Sequence, residues 1–494
     1  GGLIANDLVS VQPMSLPSGL IFFLDFTYET SRLGADAGDS VYGGGRVGVN
    51  IVSGTLDITE DGGGFYNLAN AYSHASGSVT ARMDGVVLAS KLVTSLTEAE
   101  RKLIRFDPDL LATTTNQIAI IKSHETIDAI NPHINKKLLS AIEFTAGTFN
   151  LGNGTPVRRC TFLDSDDKLN LVLVRDGGAI TSPGGSENLV LEFPYADNFV
   201  EGSGLGSVAG GNNWPLEEPG NAATRNLGNS GSTTGKQEIA EIDIKVDSLA
   251  VTAMTKKLKA KWSPELGQDL NAYHNLDAEV ELTSVLSEHI ALEIDREILN
   301  DLIQDAKAGT YYWSRSPGLF VHKTTGAELG ATSAAPDFTG TVSEWYETLV
   351  ETINDVSAQI HRKTLRGGAN FLVTSPEVAN ILEFTAGFRA NVTADADKGT
   401  VGAVNVGSMS KKWDVYVDPY FPRNVVLVGR RGGSFLESGY VYAPYVPLQV
   451  TPTIFGTEDF VPRKGVMTRY AKKMVRPDMY GLVVVRGLLG ESGS

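Results

Sequence analysis

Cysteine is almost missing: a single residue, Cys160, stands in 494. It can close no intrachain disulfide, and every zinc site built on several thiolates is excluded. Long apolar runs are missing too. The longest blocks, such as Leu20-Ile21-Phe22-Phe23-Leu24 and Val425-Val426-Leu427-Val428, fall far short of the ~18 residues a membrane span needs. No basic region followed by an apolar stretch opens the chain, so no secretory signal is read. Positive charge is in deficit as well. Forty-two Lys and Arg against 58 Asp and Glu leave −16, which disfavours non-specific clamping of nucleic-acid phosphates. The remaining composition, 42% hydrophobic and 20% charged, is that of a folded chain, and its length suggests about two to four domains.

Catalytic signatures are equally scarce. The chain has no G-x-S-x-G elbow and no Walker A loop. Its seven histidines (His74, His124, His133, His274, His289, His322 and His361) form neither H-E-x-x-H nor H-x-H. Gly43-Gly44-Gly45-Arg46-Val47-Gly48 meets G-x-G-x-x-G by letter, but Val49-Asn50-Ile51-Val52 reads as a strand where a dinucleotide site needs a helix. Asp164-Ser165-Asp166-Asp167 opens like a calcium loop, yet Leu169 stands where that loop needs glycine. A looser oxygen-ligand site and a solvated acidic turn both remain open there. Catalytic residues, cofactor and metal are therefore all read as none.

What is present is organised. Pro13 and Pro17 keep the first forty residues extended, and an apolar strand from Leu20 to Phe26 follows. Short strands with glycine turns are expected to about residue 93, a helical pattern over 96–142, and strands again over 148–197. The Gly/Asn/Ser-rich stretch 201–235 reads as a mobile loop. Strands are expected over 242–251 and 257–262. In the second, Lys256-Lys257-Leu258-Lys259-Ala260-Lys261 places several ammonium groups on one face. That face suits an acidic partner, or simply a strand edge guarded by lysine.

The clearest helix runs over 277–306. Leu282, Leu286, Ile290, Ile294, Ile298 and Leu302 recur every four residues, with Val285, Leu292 and Leu299 beside them. Glu279, Glu288, Asp295 and Asp301 are expected on the opposite face, which is either wet or turned to a neighbour. A second amphipathic helix over 342–365 shows Trp345, Leu349, Ile353, Val356 and Ile360, and ends at Gly367-Gly368. Ser375-Pro376 starts a short helix, and strand candidates follow at 414–417, 424–428, 440–445 and 483–486.

Several ordered blocks resemble one family. Lys257-Leu258-Lys259-Ala260-Lys261-Trp262-Ser263-Pro264-Glu265, Leu276-Asp277-Ala278-Glu279 and Glu293-Ile294-Asp295-Arg296-Glu297 are similar to the major capsid proteins of T-even-type tailed phages. So are Arg366-Gly367-Gly368-Ala369-Asn370-Phe371, Val415-Tyr416-Val417-Asp418-Pro419-Tyr420, Tyr442-Ala443-Pro444-Tyr445-Val446-Pro447-Leu448-Gln449 and Gly465-Val466-Met467-Thr468-Arg469-Tyr470. The arm blocks Val11-Gln12-Pro13-Met14 and Pro17-Ser18-Gly19 match at the other terminus. Residues 40 to 240 do not carry the resemblance.

The resemblance implies an α+β, HK97-type capsid fold with the following parts: an N-terminal arm (1–40), an E-loop region with an inserted domain (41–262, the insert at about 95–240), a peripheral domain with a spine helix (263–340), an axial domain (341–440), and return strands of the peripheral domain (441–494). It implies a non-enzymatic shell subunit forming hexameric, and sometimes pentameric, capsomers of an icosahedral head around double-stranded DNA. Vertex, portal, scaffold, prohead protease and decoration proteins are the implied partners, and the virion capsid, assembled in the host cytoplasm, the implied location. Gly1-Gly2 without an initiator Met is read either as a trimmed start or as a product of proteolysis, and the resemblance suggests the mature start left by that protease. Intersubunit contacts are expected at Pro13, Phe22, Phe23, Lys256, Lys257, Lys259 and Lys261, with the arm lying on neighbouring subunits and not on its own core. A vertex paralogue or an encapsulating shell protein of the same fold is the alternative, and a glycan-binding or hydrolytic protein the third reading.

Overall fold

The computed structural model describes residues 5–41, 71–74, 76–196, 240–329, 338–364, 366–390, 404–409, 412–433, 437 and 439–490. The glycine motif at 43–48 and the stretch 201–235 lie outside them. The fold is α+β, in two compact units. One comprises Gly1–Leu24, Val47–Leu56 and Val246–Ser494; the other comprises Asp25–Arg46 and Asp57–Lys245.

In the first unit the long helix occupies Ala278–Asp305, about 42 Å at 1.5 Å per residue. Asp277 caps it, its carboxylate accepting the Glu279 N–H, and Glu279 and Glu281 add negative charge to the first turn. Leu286, Ile290, Ile294, Ile298, Leu299 and Leu302 are buried, each worth about 1.5–3 kcal/mol relative to exposure. Leu282 is only half-buried, and Val285 is 58% exposed. The buried stripe therefore covers the last five turns and not the first two.

That stripe meets two sheets. On one side is a five-stranded sheet in the order Ser10–Val11, Tyr440–Val450, Pro462–Met474, Met254–Lys261, with Ile454–Phe455 also pairing with Pro462–Met474. Tyr440, Tyr442, Val466, Tyr470 and Met474 face the helix. On the other is a seven-stranded sheet in the order Thr310–Ser314, Tyr480–Arg486, Val425–Gly429, Phe371–Thr374, Trp413–Val417, Val404–Met409, Phe388–Ala390. Its Phe371, Val373, Tyr416 and Leu427 pack into the same core.

The opposite face of the larger sheet is covered by the helix Val342–Thr364. Trp345, Leu349, Ile353, Val356 and Ile360 are buried there against Leu372, Val426, Val428, Val483 and Val485, as the periodicity predicts. Gly481 permits the approach: a Cβ at that position would stand 2.4 Å from Val356 Cγ1. Gly367, at φ 123, sits in the left-handed region just past the helix, where the sequence placed a glycine stop.

The second unit is a β-sandwich. Ser76–Arg82, Asn188–Pro194 and Glu143–Ala146 form one antiparallel sheet. Gly85–Leu92, Asn116–Thr126, Lys168–Asp176 and Thr155–Pro156 form the other, with Phe162–Leu163 alongside. Ala119, Ile121, Leu169, Leu171 and Leu173 fill the space towards Leu189, Leu191 and Phe193. Their neighbours Ile118, Ile120 and Val172 point the other way, into a cluster with Leu88, Leu96, Ile104 and Leu110.

This corrects the helical reading of 96–142. Helix there amounts to Glu98–Leu103, Pro108–Ala112, the single turn Ile127–Ile130 and a 3-10 turn at Leu139–Ala141, while Ile118–Ile121 form the middle of a strand. A strand buried on both faces loses its alternation and reads as a continuous apolar block, which periodicity cannot distinguish from buried helix.

Candidate assembly surface

Among the described residues Met254–Lys261 is an edge strand, its backbone paired with Pro462–Met474 alone. Its pleat separates the lysines. Leu258 and Ala260 pack towards the long helix, and Lys256 shares that side, its Nζ 2.8 Å from Glu293 Oε1 and 2.7 Å from Glu297 Oε2. Lys257, Lys259 and Lys261 are exposed on the reverse face, opposite Met467, Gly465 and Arg463 in register. The expected basic face thus holds three of the four lysines. Lys256 is removed from it, because the period-2 pleat turns it inward to two carboxylates of its own chain.

The helix face turned to this sheet is charged. Glu297 accepts from Lys256, from Lys472 at 2.7 Å and from the Tyr470 hydroxyl at 2.7 Å. Asp301 accepts from Lys472 at 2.6 Å and from the Tyr440 hydroxyl at 2.7 Å. Glu279 accepts from Lys464 and Thr453, each at 2.7 Å. Burial pushes the Glu297 carboxyl up, but the hydrogen bonds from two lysines and a tyrosine outweigh it and hold it at about 2. Burial and the neighbouring carboxylates push the Tyr440 and Tyr470 hydroxyls above the ordinary tyrosine range.

The expectation for Glu279 and Asp301 is a face that is wet or turned to a neighbour. They instead bind strands of their own sheet, and Asp295 is 9% exposed; of the four acids only Glu288 is exposed. The receiving residues, Lys464, Lys472, Tyr440 and Tyr470, were not anticipated as helix partners. Their signal was present: Tyr470 and Lys472 alternate on one strand face, and Glu293, Glu297 and Asp301 are four apart on one helix face.

The antiparallel ribbon of Ser18–Tyr28 and Ile242–Thr252 has a dry face and a bare face. Ile21 and Val251 pack under Val441, Ala443, Ala471 and Val475. On the other side Leu20, Phe22, Leu24 and Val246 are 55%, 54%, 46% and 58% exposed. Phe22 is thus exposed on this bare face. Phe26 is half-buried beside Tyr28 and Tyr72, not free, and the Phe23 side chain lies outside the described residues.

The arm departs from expectation at its start. Ser10–Val11 add in parallel to Tyr440–Val450, Gln12 N–H donates to Tyr442 O and Met14 N–H to Pro444 O, and Leu8 and Val9 are each 1% exposed in the long-helix core. Leu8 and Val9 carry the apolar area that holds this segment to its own chain. Pro13 is exposed in the segment that follows.

No catalytic constellation assembles among the described residues. A groove of about 630 Å³ between the long helix and Tyr440–Val450 is lined by Ile290, Ile294, Pro444, Pro447 and Leu448, and its titratable lining groups are Glu288 and Tyr442. The acidic turn at 164–167 is occupied by the chain itself: Lys122 Nζ lies 2.7 Å from Asp164 and 3.8 Å from Asp166, and Asp164 also accepts the Asp166 and Lys168 N–H groups. Among the described residues no group of three His, Cys, Asp or Glu is placed to hold a metal ion. No helix among them is long and apolar enough to cross a membrane.

Comparison with known proteins identifies the family. The family model described as "Major capsid protein Gp23" matches residues 1–141 and 198–491. The major capsid protein of Vibrio phage KVP40 is 31% identical over 246 residues, 48% of this chain and 46% of that protein. That of Enterobacteria phage T4 is 31% identical over 242 residues, 47% of this chain and 44% of that protein. The aligned part thus spans less than half the length of these relatives. A solved structure, the capsid of Myoviridae phage XM1, overlaps 53% of this chain and 81% of its own at 13% identity and a TM-score of 0.32, too slight a likeness to carry a conclusion.

Proposed function

The chain belongs to the Gp23 major capsid protein family, and from that premise we propose that it is the self-assembling subunit of a tailed-phage head shell, with no catalytic role. The family match over residues 1–141 and 198–491 is the observation that carries this reading. In it the subunit has the HK97-type parts: arm at 1–40, E-loop region with an insert at 41–262, peripheral domain with the Ala278–Asp305 spine at 263–340, axial domain at 341–440 and return strands at 441–494. Copies form hexamers, and pentamers where the shell curves, around double-stranded DNA. The site of action is the virion capsid, reached by assembly in the host cytoplasm. Vertex, portal, scaffold, prohead protease and decoration proteins are its working partners.

Two surface features support the reading. The two-stranded ribbon is covered on one face by its own chain and leaves Leu20, Phe22, Leu24 and Val246 bare on the other. The Lys257, Lys259 and Lys261 face belongs to a chain of net charge −16, so another copy offers it carboxylates. We assign both to contacts between copies. Net negative charge also suits a container that must release a polyanion.

The test is sedimentation velocity of the purified chain and of Lys257→Glu/Lys259→Glu/Lys261→Glu, at low and at roughly 0.5 M salt. The parent should form large particles whose yield falls as salt rises, since the Debye length drops below about 5 Å there. The variant should remain folded and form few or none. Identical assembly of parent and variant would remove the lysine face from the contact. A parent that stays monomeric under every condition would contradict the shell reading itself.

A further inference from the structure

Charge is sharply segregated beside the edge strand. Lysine stands at 256, 257, 259 and 261, and from Trp262 to Asp295 the chain carries eight acids and no Lys or Arg. The fold turns this into two surfaces of one unit. Lys257, Lys259 and Lys261 share the sheet face that points away from the long helix with Arg463 and Arg469 of the neighbouring strand. The ribbon covers the other end of that face, at Val441, Ala443, Ala471 and Val475, and leaves the basic end open. Arg463 is held by Asp459 at 2.7 Å, and Arg469 lies over the Tyr445 ring at 5.2 Å. The three lysines make no ion pair among the described residues.

The acidic surface begins at the helix Pro264–His274. Its ends are well made. Ser263 Oγ accepts the Leu266 N–H at 3.2 Å, Pro264 opens the first turn, and Asn275 at φ 55 closes the last. Yet none of its eleven residues is buried, and a helix of that length is marginal in water without packing. Leu266, Leu270 and Tyr273 fall on one side at i, i+4 and i+7, with Leu266 48% and Tyr273 82% exposed. Glu265 and Asp269 flank that stripe. The first two turns of the long helix, which touch this helix, add exposed Val280, Glu281 and Val285. Glu265, Asp269 and Glu281 make no ion pair among the described residues.

We propose that the helix Pro264–His274 and the first two turns of the long helix of one copy seat on the open lysine face of a second copy. Every copy carries both surfaces and the two differ, so the contact is head-to-tail, the type that closes copies into rings. The occupant is a second copy because each surface supplies what the other lacks: unpaired carboxylates for unpaired ammonium groups, and apolar side chains for the lysine stems to lie along. The proposal rests on the shell reading above and adds which surface receives the lysines.

A charge exchange tests it, read as thermal melting of the subunit and yield of sedimentable particles. Glu265→Lys/Asp269→Lys/Glu281→Lys should melt close to the parent and lose at least about tenfold in yield. The same loss is expected of Lys257→Glu/Lys259→Glu/Lys261→Glu. The first variant presents two basic surfaces and the second two acidic ones, so particles should return when the two are mixed, and when all six changes stand in one chain. Tyr273→Ala, which alters neither charge nor cap, should melt with the parent and also lower the yield. Parental assembly by the helix variant and by Tyr273→Ala would overturn the proposal and leave the shell reading intact. So would two failing variants that neither mixing nor combination restores. Parental assembly by the helix variant, with loss of double-stranded DNA binding by the lysine variant, would give the lysine face to a polyanion instead. A parent that forms no particles would remove the shell reading itself.

Discussion

Glu297 shows how a single side chain fastens the longest helix. It is the meeting point of Lys256, Lys472 and Tyr470, from two adjacent strands. Glu297→Gln would leave two half-buried ammonium groups short of a carboxylate and should cost about 1–3 kcal/mol at neutral pH. The sign with pH follows from its folded value of about 2 against an ordinary 4.5. A depressed carboxyl stabilises fully above the unfolded value and loses that contribution as pH falls from about 4.5 towards 2. The stability gap between parent and Glu297→Gln in urea titrations should therefore narrow across that window. A gap that is constant from pH 6 to 2.5 would show that Glu297 is not the group that titrates. The tyrosines act at the other end: with hydroxyls raised in the fold, Tyr440 and Tyr470 stabilise below about pH 10 and lose that contribution above it.

Elements were legible where one face alone is buried. The helices Ala278–Asp305 and Val342–Thr364 fall within a residue or so of the expected bounds, because a one-sided apolar stripe has period 3.6 and its caps are local. Asn116–Thr126 was misread because both its faces are covered, which erases the period. The charged helix–sheet contacts were illegible for a different reason. Glu279 and Lys464 are 185 residues apart, so nothing local announces the pair. Close approach was likewise invisible at Gly481, where the fold leaves no space for a methyl group beside Val356. Gly481→Ala should destabilise by about 1–3 kcal/mol through overpacking, read as a lower urea midpoint with an unchanged slope. No loss would mean that the helix yields easily at that crossing. The arm also changes its expected behaviour. Since Leu8 and Val9 are buried in the core of their own chain, removing residues 1–14 should weaken the isolated subunit by about 2–5 kcal/mol. An unchanged melting temperature after that truncation would instead place the segment on neighbouring copies.

At the scale of the whole molecule, the chain spends its apolar and charged residues in two ways. The cores of its two units are built from well-covered aliphatic side chains, while the ribbon's Leu20, Phe22, Leu24 and Val246 and the edge lysines remain bare. Composition and run length exclude an intrachain disulfide and multi-thiolate zinc and offer no long apolar helix; they could not say which surfaces meet, since that depends on residues brought together by pairing across the sheet. The central claim is that copies of this chain build a closed shell. Electron microscopy of the purified, concentrated chain tests it most directly. The account predicts closed particles or tubes of uniform wall thickness tiled by six-fold capsomers. Dispersed single subunits, or amorphous aggregates, at every concentration and salt tried would contradict it.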